Sequence, residues 1–301
     1  MSILAIGTIA YDDITTPVNS KKRCFGGSAT YFALAGAHFT KISIISIVGD
    51  DFEYKNEEQL LNQGINISSV EREKGKCFHW SGTYDKDFNT RKTNFTHLNV
   101  LENFNPIVSE KFRETKYLFL GNIDPDIQLS ILQQLKTRPK IVALDTMNYW
   151  IETKNTSLLR VIANTDVLFL DSSETQMLGK KSTLIGSAKK ILDYGPSYLV
   201  VKRGEHGASL VSNNDLFSTP TYPTEQLVDP TGAGDSFAGG FMGYLASTNK
   251  PSQLDFRKAS VMGCVMGSFA IEDFGPSIHT NITQSDILKR YETIKIMSNL
   301  T

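Results

Sequence analysis

Short, almost continuously apolar runs punctuate the chain: SILAIG (2–7), ISIISIVG (42–49), YLFLG (117–121), KIVALD (140–145), VLFLD (167–171) and YLVVK (198–202). A strand covered on one face alternates apolar with polar. A strand covered on both faces reads as these do. Between them lie segments with helical spacing: SATYFALAGAHF, EEQLLNQG, DIQLSILQQLK, SLLRVIAN, SETQML and TLIGSAKKILDYG. Strand alternating with helix predicts an α/β fold, a mostly parallel sheet with helices on both faces. Beyond residue 245 the pattern is mostly helical. Residues 77–99, CFHWSGTYDKDFNTRKTNFTHLN, break the alternation. Polar and aromatic residues alternate around a turn-like DKDFN, which predicts two antiparallel strands outside the main core. They form either a lid over a site at the sheet edge or a solvated edge ribbon.

Composition narrows the function classes. A chain of 301 residues suits one large α/β domain or two smaller ones. Its 31 basic and 32 acidic residues leave a net charge of −1, which argues against a nucleic-acid binder relying on bulk charge. Cys24, Cys77 and Cys264 are widely spaced and contain no CxxC, as expected of free thiols in a reducing cytosol. The N-terminus MSILAIGTIAYDD lacks a basic n-region, and no run approaches 18 apolar residues. A cytoplasmic protein without signal peptide or membrane span is the expectation.

The chemistry concentrates in DPTGAGDSFAGGF (229–241). A helical segment is expected from Asp235 to Ala246, with Gly232 and Gly234 just outside its N-terminus. Free N–H groups and the helix dipole make such a terminus an anion site. Asp235 beside it is either a cap or a reacting group. N–H groups of Gly232, Ala233 and Gly234 would suit a phosphoryl group in transfer, and a neighbouring carboxylate could accept a proton from an attacking hydroxyl. Other polar residues follow strand runs: Asp12 in a short loop after SILAIG, Asn122 and Asp124, Asp145 and Asn148, Asp171 and Glu174, Lys202 and Gly204. Each alone reads as a cap or turn residue. Together they predict a polar crevice at one sheet edge. FGGSATYFALA (25–35) puts Gly26 and Gly27 before a helix, where a backbone can approach a ligand closely. The chain has no GxxxxGK[ST], no GxGxxG after a strand, no HRD or DFG, no HExxH and no GxSxG.

These motifs resemble those of the PfkB, or ribokinase-like, carbohydrate and nucleoside kinases. DPTGAGDSFAGGF is similar to that family's second signature and FGGSATYFALA to its first, with VGDDF, DSSE (171–174) and KRGEHGA in matching order. The resemblance spans essentially the whole chain. It implies a ribokinase-like fold in a single domain over 1–301, with a small β lid from about 10–24 and 75–100. It implies ATP and Mg2+. By position, Asp235 resembles the general base, and Gly232, Ala233 and Gly234 the anion hole. Asp12, Gly26 and Gly27 resemble acceptor-binding positions, and Tyr31, Asn122, Trp80 and Arg91 are further candidates for binding the acceptor. Lys202, Gly204, Gly207, Asp171, Thr231 and Gly267 would lie along ATP, and Glu174 would reach the metal through water.

Two positions depart from the family pattern: Asp171 and Tyr31 each stand where it usually carries Asn. Tyr31 would stack on a ring, shrink the pocket or pack internally. The leading expectation is phosphorylation of an alcohol, a hydroxymethyl group, on a sugar. Alternatives are a nucleoside acceptor and a catalytically idle sensor. A homodimer through the lid is left open.

Overall fold

The computed structural model describes residues 2–88, 90–248 and 250–298. Among the described residues thirteen strands form two sheets: β1 (Ser2–Ile6), β2 (Ala10–Thr15), β3 (Ser20–Gly26), β4 (Lys41–Gly49), β5 (Asn66–Glu73), β6 (Phe78–Tyr84), β7 (Arg91–His97), β8 (Tyr117–Leu120), β9 (Ile141–Asp145), β10 (Val167–Asp171), β11 (Tyr198–Lys202), β12 (Ala208–Val211) and β13 (Leu216–Thr219). The larger has the order β13-β12-β11-β10-β9-β8-β1-β4-β5. It is parallel from β11 to β5, and β12 and β13 add antiparallel to one edge.

Continuous apolarity has its expected cause, because alternate residues of each central strand enter different cores. Ile3, Ala5, Tyr117, Phe119, Val167 and Phe169 join one core with helices Ser28–Gly36, Ala233–Ser247 and Gln253–Ala270. Leu4, Ile6, Leu118, Leu120, Leu168 and Leu170 join the other with helices Pro125–Gln134, Asn155–Ile162, Ser172–Gly179 and Leu184–Leu192. Phe32 stacks on Phe119 at 3.8 Å between ring centroids, fixing the first helix on the sheet.

A second, four-stranded sheet has the order β3-β2-β6-β7. β2 pairs antiparallel with β3 and parallel with β6, and β6 pairs antiparallel with β7. Asn89, the last residue of the DKDFN turn, lies outside the described residues. Asp51 clips this sheet to the larger one. Its carboxylate accepts from the Cys77 backbone N–H at 2.7 Å and from Arg23 Nη2 at 3.1 Å.

Two local expectations change, and one strand was not anticipated. Asp12 lies inside strand β2 rather than in a loop, because Tyr11 and Ile14 beside it find buried sites. The helix expected from Asp235 begins at Ala233, so Gly234 sits in its first turn. Gly232 is the N-cap at φ 76°, and this left-handed residue absorbs the change of direction. The edge strand β5, NISSVERE, carries no apolar run because much of it faces solvent. Among the described residues, no helix is long and apolar enough to cross a membrane.

Candidate active site

Three neighbouring strands end in charged residues. β9 ends at Asp145, β10 at Asp171 and β11 at Lys202, and the register pairs Asp171 with Lys202. Lys202 Nζ donates to both carboxylate oxygens of Asp145, each at 3.0 Å, with the side chains 17% and 5% exposed. Burial opposes the ammonium charge. The carboxylates of Asp145, Glu174 and Asp235 outweigh it and hold Lys202 protonated above its ordinary range. The same ammonium reaches the glycine-rich turn, since a Cβ on Gly234 would lie 3.0 Å from Nζ.

The turn is built by its own sequence. Asp229 is fully buried and accepts from the Thr231 backbone N–H at 2.9 Å, a local Asp-to-backbone bond that bends the chain. Gly232 then takes its left-handed conformation. Ala233 differs from its expected role: its N–H donates to the Pro230 carbonyl at 3.2 Å, so this donor is engaged within the turn. Ser236 N–H bonds the Gly232 carbonyl at 2.8 Å. Ser236 Oγ shares a 2.8 Å hydrogen bond with buried His279 Nε2, and burial drives that imidazole down to about 3, so it is neutral.

Asp235 sits half-buried in the first turn of this helix. Its carboxyl is raised above the ordinary range by burial and then by the neighbouring Asp145 charge, against the pull of Lys202. Asp12 and Arg91 also act on it, which ties the small sheet to the same centre. Asp12 is 5% exposed, and burial, helped by Asp229, pushes it up to about 8. Gly26 makes its room: a Cβ there would strike the Asp12 carboxylate. Gly27, at φ 99°, caps the helix Ser28–Gly36 and packs on the Thr8 carbonyl.

Tyr31 is 1% exposed, and its ring lies against Gly232, where a Cβ would fall on the ring. That packing covers the surface on which an acceptor ring would stack. Its hydroxyl has no partner among the described residues and lies within the fields of Asp229 and Asp12. From the small sheet, the Arg91 guanidinium lies 5.1 Å from the centre of the Trp80 ring, and Trp80 Nε1 donates to Thr93 Oγ1 at 3.2 Å.

Some of the other expected residues are engaged in local contacts. Asn122 Oδ1 accepts from Trp150 Nε1 at 2.9 Å, and its amide donates to Met147 Sδ. Asp171 and Glu174 form a capping box on helix Ser172–Gly179. Asp171 N–H donates to Glu174 at 2.8 Å, and Glu174 N–H donates to Asp171 at 2.7 Å. Acid at residue 171 thus serves the helix start. Burial raises Glu174 to about 7, opposed by Lys202. Gly204 (φ 55°) has open space where a Cβ would stand, whereas Gly207 (φ 78°) packs on Thr219 and Pro220. Gly267 borders the helix start, its Cβ direction meeting the Ala233 carbonyl at 3.2 Å.

The sequence offered Tyr84 only as aromatic area of the lid, with Phe78, Trp80 and Phe88; in the structure its hydroxyl shares a 3.0 Å hydrogen bond with Thr231 Oγ1 in the turn before the helix. Sequence reasoning missed the shaping role of Asp229, although an Asp two residues before Thr231 is itself a turn signal.

What converges is a glycine-capped helix N-terminus, a buried ammonium and a carboxylate of raised proton affinity. Known proteins share this arrangement of chain. A cytidine kinase of Thermococcus kodakarensis is 29% identical over 250 residues, covering 80% of this chain and 87% of its own. A nucleoside kinase of Methanothermobacter thermautotrophicus is 25% identical over 322 residues, covering 96% and 95%. The structure of Burkholderia thailandensis nucleoside kinase in complex with ADP-inosine superposes with a TM-score of 0.78 at 20% identity, over 97% of this chain and 95% of that one. The family model for pfkB carbohydrate kinases matches residues 5–283. With nearly its whole length matched, the chain belongs to the pfkB family of carbohydrate kinases.

Proposed function

We propose that this kinase phosphorylates the hydroxymethyl group of a nucleoside, with ATP as donor. The observation that carries the chemistry is Asp235 in the first turn of a helix whose N-cap is Gly232, with Lys202 beside it. The cytidine and nucleoside kinases among its relatives favour the nucleoside over the free sugar. A half-buried carboxyl of raised proton affinity is the right kind of group to take a proton from an alcohol near neutral pH. An idle sensor would have no use for it.

Asp235 accepts the proton as the acceptor oxygen attacks the γ-phosphorus, and the bond to the leaving phosphate oxygen breaks. N–H groups of Gly232 and Gly234 point at the transferred phosphoryl group, and Lys202 adds a fixed positive charge. Asp12 and Arg91 bind acceptor hydroxyls. Gly204 and Gly267 line the nucleotide. The small sheet acts as a lid that excludes water as a competing acceptor.

Bound with ATP, Mg2+ supplies charge neutralisation on the phosphates. Among the described residues no three His, Cys, Asp or Glu side chains converge into a metal cage. The ion would therefore depend on phosphate and water oxygens, with Glu174 reaching it through water, a mode that suits Mg2+.

The test is turnover of cytidine, adenosine, inosine, ribose and fructose with ATP and Mg2+, by wild type and Asp235→Asn. Nucleoside turnover that falls at least about 100-fold in the variant, with nucleotide binding kept, is expected. Turnover of free sugars alone would reject the acceptor, and an active Asp235→Asn would reject the mechanism.

A further inference from the structure

We propose that Tyr84 is a positioning residue through which the small sheet holds the phosphoryl-binding turn in shape; this rests on the kinase reading above. The Tyr84 ring packs into a small cluster with Ile14, Cys24 and Phe274, beside Trp80 and Val228. This cluster joins the inner face of the small sheet to segments on either side of the catalytic helix. With the ring anchored there, the hydroxyl meets Thr231 Oγ1 at 3.0 Å.

Thr231 is the residue before the N-cap. Its N–H is held by Asp229, and the next residue, Gly232, rests on the ring of Tyr31. Asp229 and Tyr31 belong to the main body of the fold. Tyr84 belongs to the small sheet, so its grip on the turn exists only while that sheet is seated. The turn controls where the Gly232 and Gly234 N–H groups point, and misplacement of such donors by a fraction of an ångström weakens charge stabilisation in the transition state.

The same β-ladder adds a second consequence of seating. Tyr84 pairs across the hairpin with Arg91, and the Arg91 charge acts on Asp12, Asp235 and Tyr84 itself. Bringing Tyr84 onto Thr231 therefore brings a cation to the acceptor side as the turn is fixed. The site is complete only with water already shut out.

The experiment uses Tyr84→Phe, which keeps the packed ring and removes the hydroxyl, together with Thr231→Val, Thr231→Ser and the Tyr84→Phe/Thr231→Val double variant. Steady-state kinetics with the best acceptor of the panel above would show kcat lowered about five- to tenfold in Tyr84→Phe and in Thr231→Val, the scale of one lost hydrogen bond. The acceptor KM stays within about twofold, and the loss in the double variant is smaller than the product of the two single losses, because the hydroxyls share one bond while Tyr84 also faces Arg91 and Thr231 also faces Asp229. Thr231→Ser, which keeps the hydroxyl, retains kcat. An unchanged kcat in Tyr84→Phe, a raised KM with kcat intact, or losses that multiply in the double variant would each overturn the assignment. Asp235→Asn is run alongside: if it turns over, or if no acceptor of the panel is phosphorylated, the kinase reading itself falls, and that failure is separate from a neutral Tyr84→Phe.

Discussion

Replacing Gly232 by alanine tests how the glycine-rich turn is held. Two separate penalties follow from the structure. The backbone at φ 76° is left-handed, and a Cβ in that region costs about 1–2 kcal/mol. The new methyl would also land on the Tyr31 ring, which is buried and has little freedom to retreat. Overpacking of this kind costs about 1–3 kcal/mol. The sum, about 2–5 kcal/mol, is a large share of a typical total stability without necessarily exceeding it. At this chain length it would lower Tm by about 4–10 °C. The two penalties separate in a double-mutant cycle with Tyr31→Leu. A smaller side chain at 31 removes the clash but leaves the backbone strain. Thermal or urea unfolding of the four proteins should give a favourable coupling of about 1–3 kcal/mol, the overpacking part alone. Additivity within about 0.5 kcal/mol would refute the idea that Tyr31 confines the turn.

The remaining predictions concern the charged groups. In the proposed mechanism Asp235 accepts a proton only when ionised, and burial and Asp145 both raise its carboxyl. The acidic limb of kcat/KM should therefore lie above the ordinary carboxylate range, with activity rising as pH increases. Asp145→Asn removes a repelling charge and frees Lys202 for Asp235, so that limb should move to lower pH. A limb that stays put would assign it to another group, such as Asp12. Lys202→Met leaves Asp145 buried without its partner and should destabilise by about 3–5 kcal/mol in urea titrations. Adding Asp145→Asn should recover most of that loss; no recovery would mean the pair is not what the lysine stabilises.

The sequence made the central sheet easy to read because burial on both faces leaves long apolar stretches, such as VLFL and LVV, with a charged residue only at the strand end. β5 stayed hidden for the opposite reason, since an edge strand in water has no apolar signature to display. In the site, DPTGAGD announced a glycine-led helix start. It did not say that the helix would begin at Ala233 or that the Ala233 N–H would close a turn on Pro230. Those outcomes follow from the left-handed glycine at 232, which no pattern of apolar residues encodes. Tyr31 was ambiguous because a tyrosine beside two glycines suits a pocket wall or a core. The ring packing against Gly232 is a contact across 201 residues of chain, beyond the reach of local patterning.

The parallel pairing of β2 with β6 bears on how the chain is made. β2 and β3 form a local hairpin, but the partner for the other side of β2 begins only at Phe78. During synthesis from the N-terminus, this two-stranded ribbon waits for many residues with one edge unsatisfied, and such a ribbon is marginal in water. Its composition suits the wait. β3 carries Lys21, Lys22 and Arg23 on the outer edge, and β2 carries Asp12 and Asp13 beside the open one. Charges of both signs on exposed strand edges discourage pairing with another nascent chain. Asp12 can thus serve twice, first as a guard on an unfinished edge and later, once β6 has arrived, as a buried group of the finished site.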